Sequence, residues 1–182
     1  MDTIVLGFDP GAARVGWAAL GADARGARHV GSGVLAVDLA GDAGLEALRA
    51  AAGELLSRYR PALVAVERVV RVFPRPRFGP AMASELCGAS WVGAELAGLA
   101  AARGLIVRTA ALQAVRSALG CARAGDAALA AAIRARVAGW PARSSEHARD
   151  AAAVAWSTTV EAAHAPASPS LATPPELDRD LP

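Results

Sequence analysis

Three short apolar runs at the start of the chain predict an antiparallel sheet. They cover residues 3–8, 15–20 and 29–37, and a Pro-Gly pair separates the first two. Apolar runs of this length around a Pro-Gly pair are typical of strands joined by a tight turn, and three in succession favour a meander. The first run leads directly into Asp9, so we expect an aspartate at the tip of the first strand.

The middle of the chain alternates between helical and strand patterns. Residues 43–58 carry leucines at helical spacing, and residues 81–103 form a long helical stretch dominated by small side chains. The continuous apolar run 62–66 is typical of a strand buried on both faces, and residues 105–109 form a fifth strand. The run 62–66 ends at Glu67, which places a second acid at a strand tip.

Two further helices are predicted near the end of the chain, after a shorter one that follows the fifth strand. One spans residues 127–138 with Asp126 as its N-cap, and the other spans residues 146–163 with Ser145 as its cap. The predicted order is therefore three strands, a helix, a strand, a helix, a strand and then helices.

The composition indicates one domain in a reducing compartment. The chain has 182 residues, enough for a single core without disulfides, and its two cysteines do not form a disulfide framework. No basic segment precedes the first apolar run, so we expect a cytoplasmic protein. Residues 164–182 are rich in Pro, Ser and acids and cannot bury enough apolar surface to order themselves. We expect one folded domain at 1–163 and a disordered, Pro/Ser-rich acidic tail at 164–182.

Arginine is concentrated in the middle of the chain. Residues 55–84 contain six arginines and one acid, and the chain contains no lysine. This distribution is expected where one face meets a polyanion, because guanidinium groups bind phosphate in a forked geometry. Residues 68–80 show neither helical nor strand periodicity, so they are predicted to form an exposed basic loop directly after Glu67. A loop that is merely solvated is the alternative.

Three acids and the order of elements together favour an α/β fold of the RNase H-like type. Its central sheet is expected to be five-stranded and mixed, with three antiparallel strands and then two parallel ones, flanked by α-helices. Such a sheet sets its first and fourth strands side by side, so Asp9 and Glu67 would face each other. Asp150, one turn into the last helix and three residues after His147, would lie over them.

A cluster of carboxylates of this kind fits metal-assisted hydrolysis of phosphodiesters. Two divalent ions held about 4 Å apart activate water and stabilise the leaving oxygen, and hard oxygen ligands favour Mg²⁺ or Mn²⁺. Each acid taken alone is weak evidence, because Asp9 could cap a turn and Asp150 could complement a helix dipole. Without metal the three acids would repel one another, which makes a purely structural role costly.

Four segments resemble the RuvC-type Holliday-junction resolvases. They read VLGFDPGAARVGWAAL, ALVAVERV, TAALQAVRSALG and EHARDAAAVA, and the resemblance spans roughly residues 3–160. It implies that Asp9, Glu67 and Asp150 are catalytic metal ligands. It also places His147 at a fourth active-site position where the family uses Asp or His, and a His there could bind metal or shuttle a proton.

The same resemblance implies an activity and a set of partners. The expected activity is a structure-selective DNA endonuclease that resolves four-way junctions by paired symmetric nicks, with two Mg²⁺ ions per active site that Mn²⁺ can replace. The expected assembly is a homodimer through helix 81–103, whose twofold symmetry matches that of the junction. An internal core helix is the alternative for that segment. The RuvA-RuvB branch-migration complex is a candidate partner, and no membrane is expected.

The candidate DNA contacts lie in the basic loop and near the fifth strand. Where the family has a stacking aromatic this chain has Val70, and Phe73 nearby is the candidate substitute. One basic position of the family is matched by Arg116, whereas another falls near Asp126. The full set of candidate DNA-binding residues is Arg68, Arg71, Phe73, Arg75, Arg77, Arg116 and Arg123.

Two alternatives to junction cleavage remain open from the sequence. One is an RNase H-like nuclease that acts on structured RNA. The other is a non-catalytic relative that binds junctions without cutting them, which the departures at Val70 and Asp126 leave open. Comparing cleavage of a four-way junction with cleavage of structured RNA separates the junction endonuclease from the RNA nuclease.

Overall fold

The computed structural model describes residues 2–39, 42–69 and 80–164. Within those ranges the chain forms six strands and five helices. The strands are β1 (Thr3–Pro10), β2 (Arg14–Asp23), β3 (Gly26–Ala36), β4 (Leu63–Arg68), β5 (Ile106–Ala111) and β6 (Val137–Ala138). The helices are α1 (Asp42–Tyr59), α2 (Pro80–Ala101), α3 (Leu112–Ala118), α4 (Asp126–Arg136) and α5 (Glu146–His164).

The strands form one mixed sheet in the order β5-β4-β1-β2-β3-β6. Strands β1, β2 and β3 are an antiparallel meander, and β4 pairs in parallel with both β1 and β5. This confirms the predicted pattern of three antiparallel strands followed by two parallel ones. Strand β1 lies between β4 and β2. Asp9 therefore has a central position at the end of the sheet where the parallel strands β1 and β4 finish.

The sixth strand was not predicted. The sequence pattern extends α4 through residue 138, but the helix ends at Arg136 and Val137 takes an extended conformation. Val137 is buried and pairs in parallel with Ala27 at the edge of β3. Burial against the sheet edge overrides the helix propensity of the surrounding alanines, a tertiary effect that a local pattern does not contain.

The core lies on both faces of the sheet because side chains alternate along the strands. In β1, Leu6 and Phe8 point into the core beneath α1 and α2, whereas Val5 points into the core beneath α3, α4 and α5. Helix α5 lies against β1 and β2 through a run of fully buried small residues, Ala151 to Ala155. A side chain at Gly7 would overlap the carbonyl oxygen of Ala151, so the close approach of α5 requires glycine there.

The strands that carry the acids are longer than their apolar runs. Strand β1 continues through Asp9 to Pro10, with Asp9 paired opposite Gly16, and β4 continues through Glu67 to Arg68. Each acid is the second-to-last residue of its strand, which confirms the prediction of an acid at each strand tip. The hairpin closes beyond the apolar run, where the Gly11 N–H donates to the Arg14 carbonyl at 2.9 Å. Because both acids lie within strands, the sheet fixes the directions in which their side chains point.

Several predictions concern residues outside the described ranges. The basic-loop residues Arg71, Phe73, Arg75 and Arg77 lie in residues 70–79, and most of the predicted tail lies in residues 165–182. Among the described residues, no helix combines the length and the apolar character that crossing a membrane requires.

Candidate active site

Asp9 and Glu67 lie side by side at the ends of two neighbouring parallel strands. Phe8 of β1 pairs with Val66 of β4, so the next residue of each strand is one of the two acids. Their carboxyl groups share a hydrogen bond. The predicted facing of these two acids is thus confirmed by the register of the sheet.

Helix α5 brings His147 and Asp150 to the same place. The helix begins where the Ala148 N–H donates to Ser145 Oγ at 3.1 Å, which confirms the predicted cap. His147 Nδ1 lies 2.9 Å from Asp9 Oδ2. A side chain at Gly16, opposite Asp9 in the sheet, would overlap the carbonyl oxygen of His147. The contact between α5 and Asp9 therefore depends on a glycine in β2.

The site holds more negative charge than its surroundings stabilise. Burial, together with repulsion from Asp9 and Asp150 and the hydrogen bond to Asp9, raises the pKa of Glu67 from 4.5 to about 8. Burial and repulsion from Asp9 raise the pKa of Asp150 from 3.8 to about 6, although Arg149 and Arg116 oppose that rise. A nearby cation would reverse both shifts, because it favours the ionised carboxylates.

Unpaired buried polar atoms gather around the same acids. Four buried side-chain nitrogen or oxygen atoms of the described residues have no hydrogen-bond partner: Arg116 Nε, Arg149 Nε, Arg149 Nη2 and Asp150 Oδ1. Arg149 Nε and Asp150 Oδ1 are 3.6 Å apart, an ion pair too long for a hydrogen bond. Buried groups without partners are rare in folded proteins and are costly. All four atoms belong to Asp150 or to the two arginines whose charges act on its carboxyl group.

Arg149 is the residue of this site that the sequence pattern did not single out. Its side chain is only 12% exposed although it is charged. The available signal was an arginine directly before Asp150 and next to a run of alanines in the first turns of a helix. Arginine is almost never fully buried unless it has a counter-charge, so a buried position implies nearby acids.

The side chains of this site are of the chemical types that bind divalent cations. They comprise three carboxyl groups and an imidazole, and one oxygen of Asp150 is buried without a partner. However, across 2–39, 42–69 and 80–164 no three His, Cys, Asp or Glu side chains are already arranged to hold a metal ion. The Asp9 carboxyl group interacts with both Glu67 and His147. The strands and α5 therefore supply the proximity of these groups.

The predicted DNA-contact residues have different surroundings. Arg68, at the end of β4, and Arg123, in the turn before α4, are exposed. Arg116 is largely buried, and it donates from Nη1 to the Ala124 carbonyl at 2.9 Å and from Nη2 to Asp126 Oδ1 at 2.7 Å. The predicted N-cap role of Asp126 is wrong: Gly125 occupies the cap position without a side-chain cap, and the Asp126 carboxylate binds Arg116 instead.

Comparison with known proteins gives one family and one fold. The family model described as crossover junction endodeoxyribonuclease RuvC matches residues 5–158. A structure of Thermus thermophilus RuvC is 26% identical and has a TM-score of 0.66, covering 88% of this chain and 96% of that chain. A second, T. thermophilus RuvC in complex with Holliday junction substrate, is 23% identical with a TM-score of 0.71 and the same coverage.

A more distant structure has the same fold. The yeast mitochondrial Holliday junction resolvase Ydc2 is 11% identical with a TM-score of 0.58, covering 88% of this chain and 81% of that chain. No curated protein sequence matches the chain. The fold and the family match therefore come from independent comparisons that agree.

Proposed function

Because this chain belongs to the crossover junction endodeoxyribonuclease RuvC family, we propose that it resolves four-way DNA junctions by hydrolysing phosphodiesters. The observation that carries the proposal is the convergence of Asp9, Glu67 and Asp150 from two strands and a helix, with His147 bonded to Asp9. A related resolvase is described in complex with Holliday junction substrate. We extend that substrate to this chain.

Asp9, Glu67 and Asp150 are the proposed ligands of two Mg²⁺ ions, which Mn²⁺ can replace. When bound, such ions activate water and stabilise the leaving oxygen. The contribution of the chain is to hold three carboxylates at the ends of a rigid sheet and helix, so that little reorganisation accompanies the reaction. The buried, high-pKa state of Glu67 means that this residue must lose its proton before it can act as a ligand.

His147 is proposed to orient or move a proton. Its Nδ1 is engaged with Asp9, which sets the plane of the ring and leaves Nε2 as the nitrogen that would face substrate. An imidazole oriented by a carboxylate can donate a proton to a leaving oxygen. Its place beside three carboxylates also allows it to act as a fourth ligand.

Paired nicks require two active sites, so the proposed enzyme is a homodimer. The small-residue stripe of α2 is the surface predicted as the dimer interface. Its members Ala89, Leu96 and Ala100 are buried in the domain core. The face of α2 that is left for a second copy carries Met82 and Trp91, and Trp91 is 44% exposed. Dimerisation would therefore use this outer face. The RuvA-RuvB complex and a cytoplasmic location remain predictions.

The direct test is cleavage of a synthetic mobile four-way junction, read on a denaturing gel with and without Mg²⁺. We expect metal-dependent nicks at opposed strands, with 5′-phosphate ends, and no cutting of a linear duplex of the same sequence. Asp9→Asn should abolish cutting and keep binding, whereas Glu54→Gln, which removes an exposed acid of α1, should leave both cutting and binding at the wild-type level. Cleavage of structured RNA in preference to the junction, or junction binding without any cutting by the wild type, would contradict the proposal.

A further inference from the structure

The Arg116 guanidinium is held inside the molecule by two hydrogen bonds. Nη1 donates to the Ala124 carbonyl at 2.9 Å and Nη2 donates to Asp126 Oδ1 at 2.7 Å. The Arg116 side chain is 15% exposed, whereas that of Asp126 is 65% exposed. The outer end of this cation is therefore covered by a carboxylate that itself faces solvent.

This ion pair lies next to the proposed active site. Strand β5 pairs with β4 so that Ala110 lies opposite Glu67, and α3 begins two residues later, at Leu112. Arg116 is in the second turn of α3, and its charge acts on the carboxyl groups of both Glu67 and Asp150. A phosphodiester bound at the acids would be within electrostatic reach of this guanidinium.

The bond to Asp126 is not needed to close the turn between α3 and α4. The turn is already held by backbone bonds, from Cys121 N–H to the Arg116 carbonyl at 2.8 Å and from Ala124 N–H to the Cys121 carbonyl at 3.1 Å. Arg116 Nη1 adds a third tie through Ala124. The Asp126 carboxylate is therefore not what closes this turn.

We propose that Asp126 competes with DNA for Arg116: its carboxylate occupies the Nη2 donor that a backbone phosphate of the junction would otherwise accept from. Carboxylate and phosphate both accept from the guanidinium fork, and because the Arg116 side chain is only 15% exposed, the Asp126 carboxylate covers the end of the fork that a phosphate would approach. Asp126 therefore lowers the affinity of the site for DNA. This inference rests on the proposed function, since it takes the phosphodiester backbone of a junction as the ligand.

The test is a double-mutant cycle on junction binding in EDTA, where no cutting occurs. Asp126→Asn should tighten binding by roughly three- to fivefold, the scale of an exposed ion pair that becomes a neutral hydrogen bond. It should also steepen the dependence of log affinity on log salt by about one phosphate contact. In an Arg116→Gln background the same Asp126→Asn change should give no gain, because the released donor is missing.

Asp42→Asn is the matched control. Asp42 is also an exposed aspartate at the first residue of a helix, α1, so its loss removes the same charge from the same kind of position. The effect of Asp42→Asn on junction affinity should be small, and it should be the same in the wild-type and Arg116→Gln backgrounds. Circular dichroism and thermal unfolding of each variant verify that the turn between α3 and α4 is intact.

The outcomes distinguish a failure of the Asp126 competition from a failure of the proposed junction cleavage. A gain that disappears in the Arg116→Gln background supports the competition. An equal gain in both backgrounds means that Asp126 acts only as a general negative charge, and an absent gain means that Arg116 does not contact DNA; either result overturns this inference while wild-type cleavage leaves the function standing. If the wild type neither binds nor cuts the junction, the proposed function fails, and the inference fails with it.

Discussion

His147 Nδ1 and Asp9 Oδ2 lie 2.9 Å apart although the two residues are 138 positions apart in the chain. The contact joins the first turn of the last helix to the end of the first strand. It exists because β1 and β2 carry glycine where the backbone of α5 approaches, at Gly7 and Gly16. The site is therefore built by backbone proximity as much as by its charged side chains.

Gly16→Ala should separate α5 from the sheet and reduce cleavage sharply. The new methyl group would overlap backbone atoms of His147, which cannot move without shifting the start of the helix. A displacement of about 1 Å at a catalytic group typically costs on the order of a hundredfold in rate, and overpacking costs about 1–3 kcal/mol of stability. Junction cleavage rate and urea unfolding measure the two effects.

Gly98→Ala is the control for that change. Gly98 is in α2 with no atom near its vacant Cβ position, so alanine should fit and should slightly stabilise the helix. Equal cleavage by wild type and Gly16→Ala would show that close packing of α5 on β2 is not required for the reaction.

The metal-free protein should become less stable as the pH rises. Burial raises the folded-state pKa of Glu67 from 4.5 to about 8, so its stabilising contribution is complete below 4.5 and is lost as the pH rises through 8. Ionisation of Asp150 lowers the stability in the same way as the pH rises from 3.8 through about 6, because its pKa is raised over that range. Since one pKa unit corresponds to about 1.4 kcal/mol, the combined loss is of the order of several kcal/mol.

Urea unfolding in EDTA across this pH range measures the loss directly. Glu67→Gln should flatten the pH dependence because its amide does not ionise, whereas Glu54→Gln should leave it unchanged, since Glu54 is exposed on α1. Stability that stays constant or increases toward alkaline pH would be inconsistent with a crowded, buried carboxyl cluster.

Arg149 should hold down the pKa of Asp150. Burial and Asp9 raise that pKa to about 6, and the adjacent guanidinium opposes them. Arg149→Met keeps most of the side-chain volume but removes the charge, so the pKa of Asp150 should rise further and cleavage should fall most at mildly acidic pH. Arg149→Lys should restore much of the wild-type behaviour. Carboxyl ¹³C titration of the metal-free variants gives the pKa, and an unchanged value would exclude the ion pair.

His147 variants should distinguish a proton carrier from a metal ligand. Loss of a general acid typically lowers the rate by about 10²- to 10⁴-fold, so His147→Ala should reduce the single-turnover rate while junction affinity in EDTA stays near that of the wild type. His147→Asp retains an oxygen ligand but supplies a weaker proton donor. Recovery of activity in His147→Asp indicates a ligand role, and continued loss indicates proton transfer. A wild-type rate in His147→Ala would exclude both roles.

Much of this site could be predicted because its parts carry local signals. An apolar run that ends in an acid predicts a strand tip, which located Asp9 and Glu67, and a Ser cap before EHARD predicted the start of α5. The order of elements then predicted which strands are neighbours. These signals depend on hydrophobic periodicity and capping, both of which are properties of short segments.

The rest of the site depends on contacts between distant segments. Strand β6 exists because Val137 meets the edge of β3, and the burial of Arg149 follows from the packing of α5 on the sheet. The pairing of Asp126 with Arg116 replaces a local cap with a contact to another helix. No periodicity within a single segment encodes such contacts, so the sequence pattern alone left these three features undetected.

The central claim is that Asp9, Glu67 and Asp150 together bind divalent cations. Anomalous diffraction from crystals soaked in Mn²⁺ tests it most directly, with Asp9→Asn crystals as the comparison. We expect manganese peaks among these three carboxylates in the wild type and a weakened or missing peak in the variant. Manganese bound elsewhere, or wild-type carboxylates that keep their shared hydrogen bond at saturating Mn²⁺, would contradict the account.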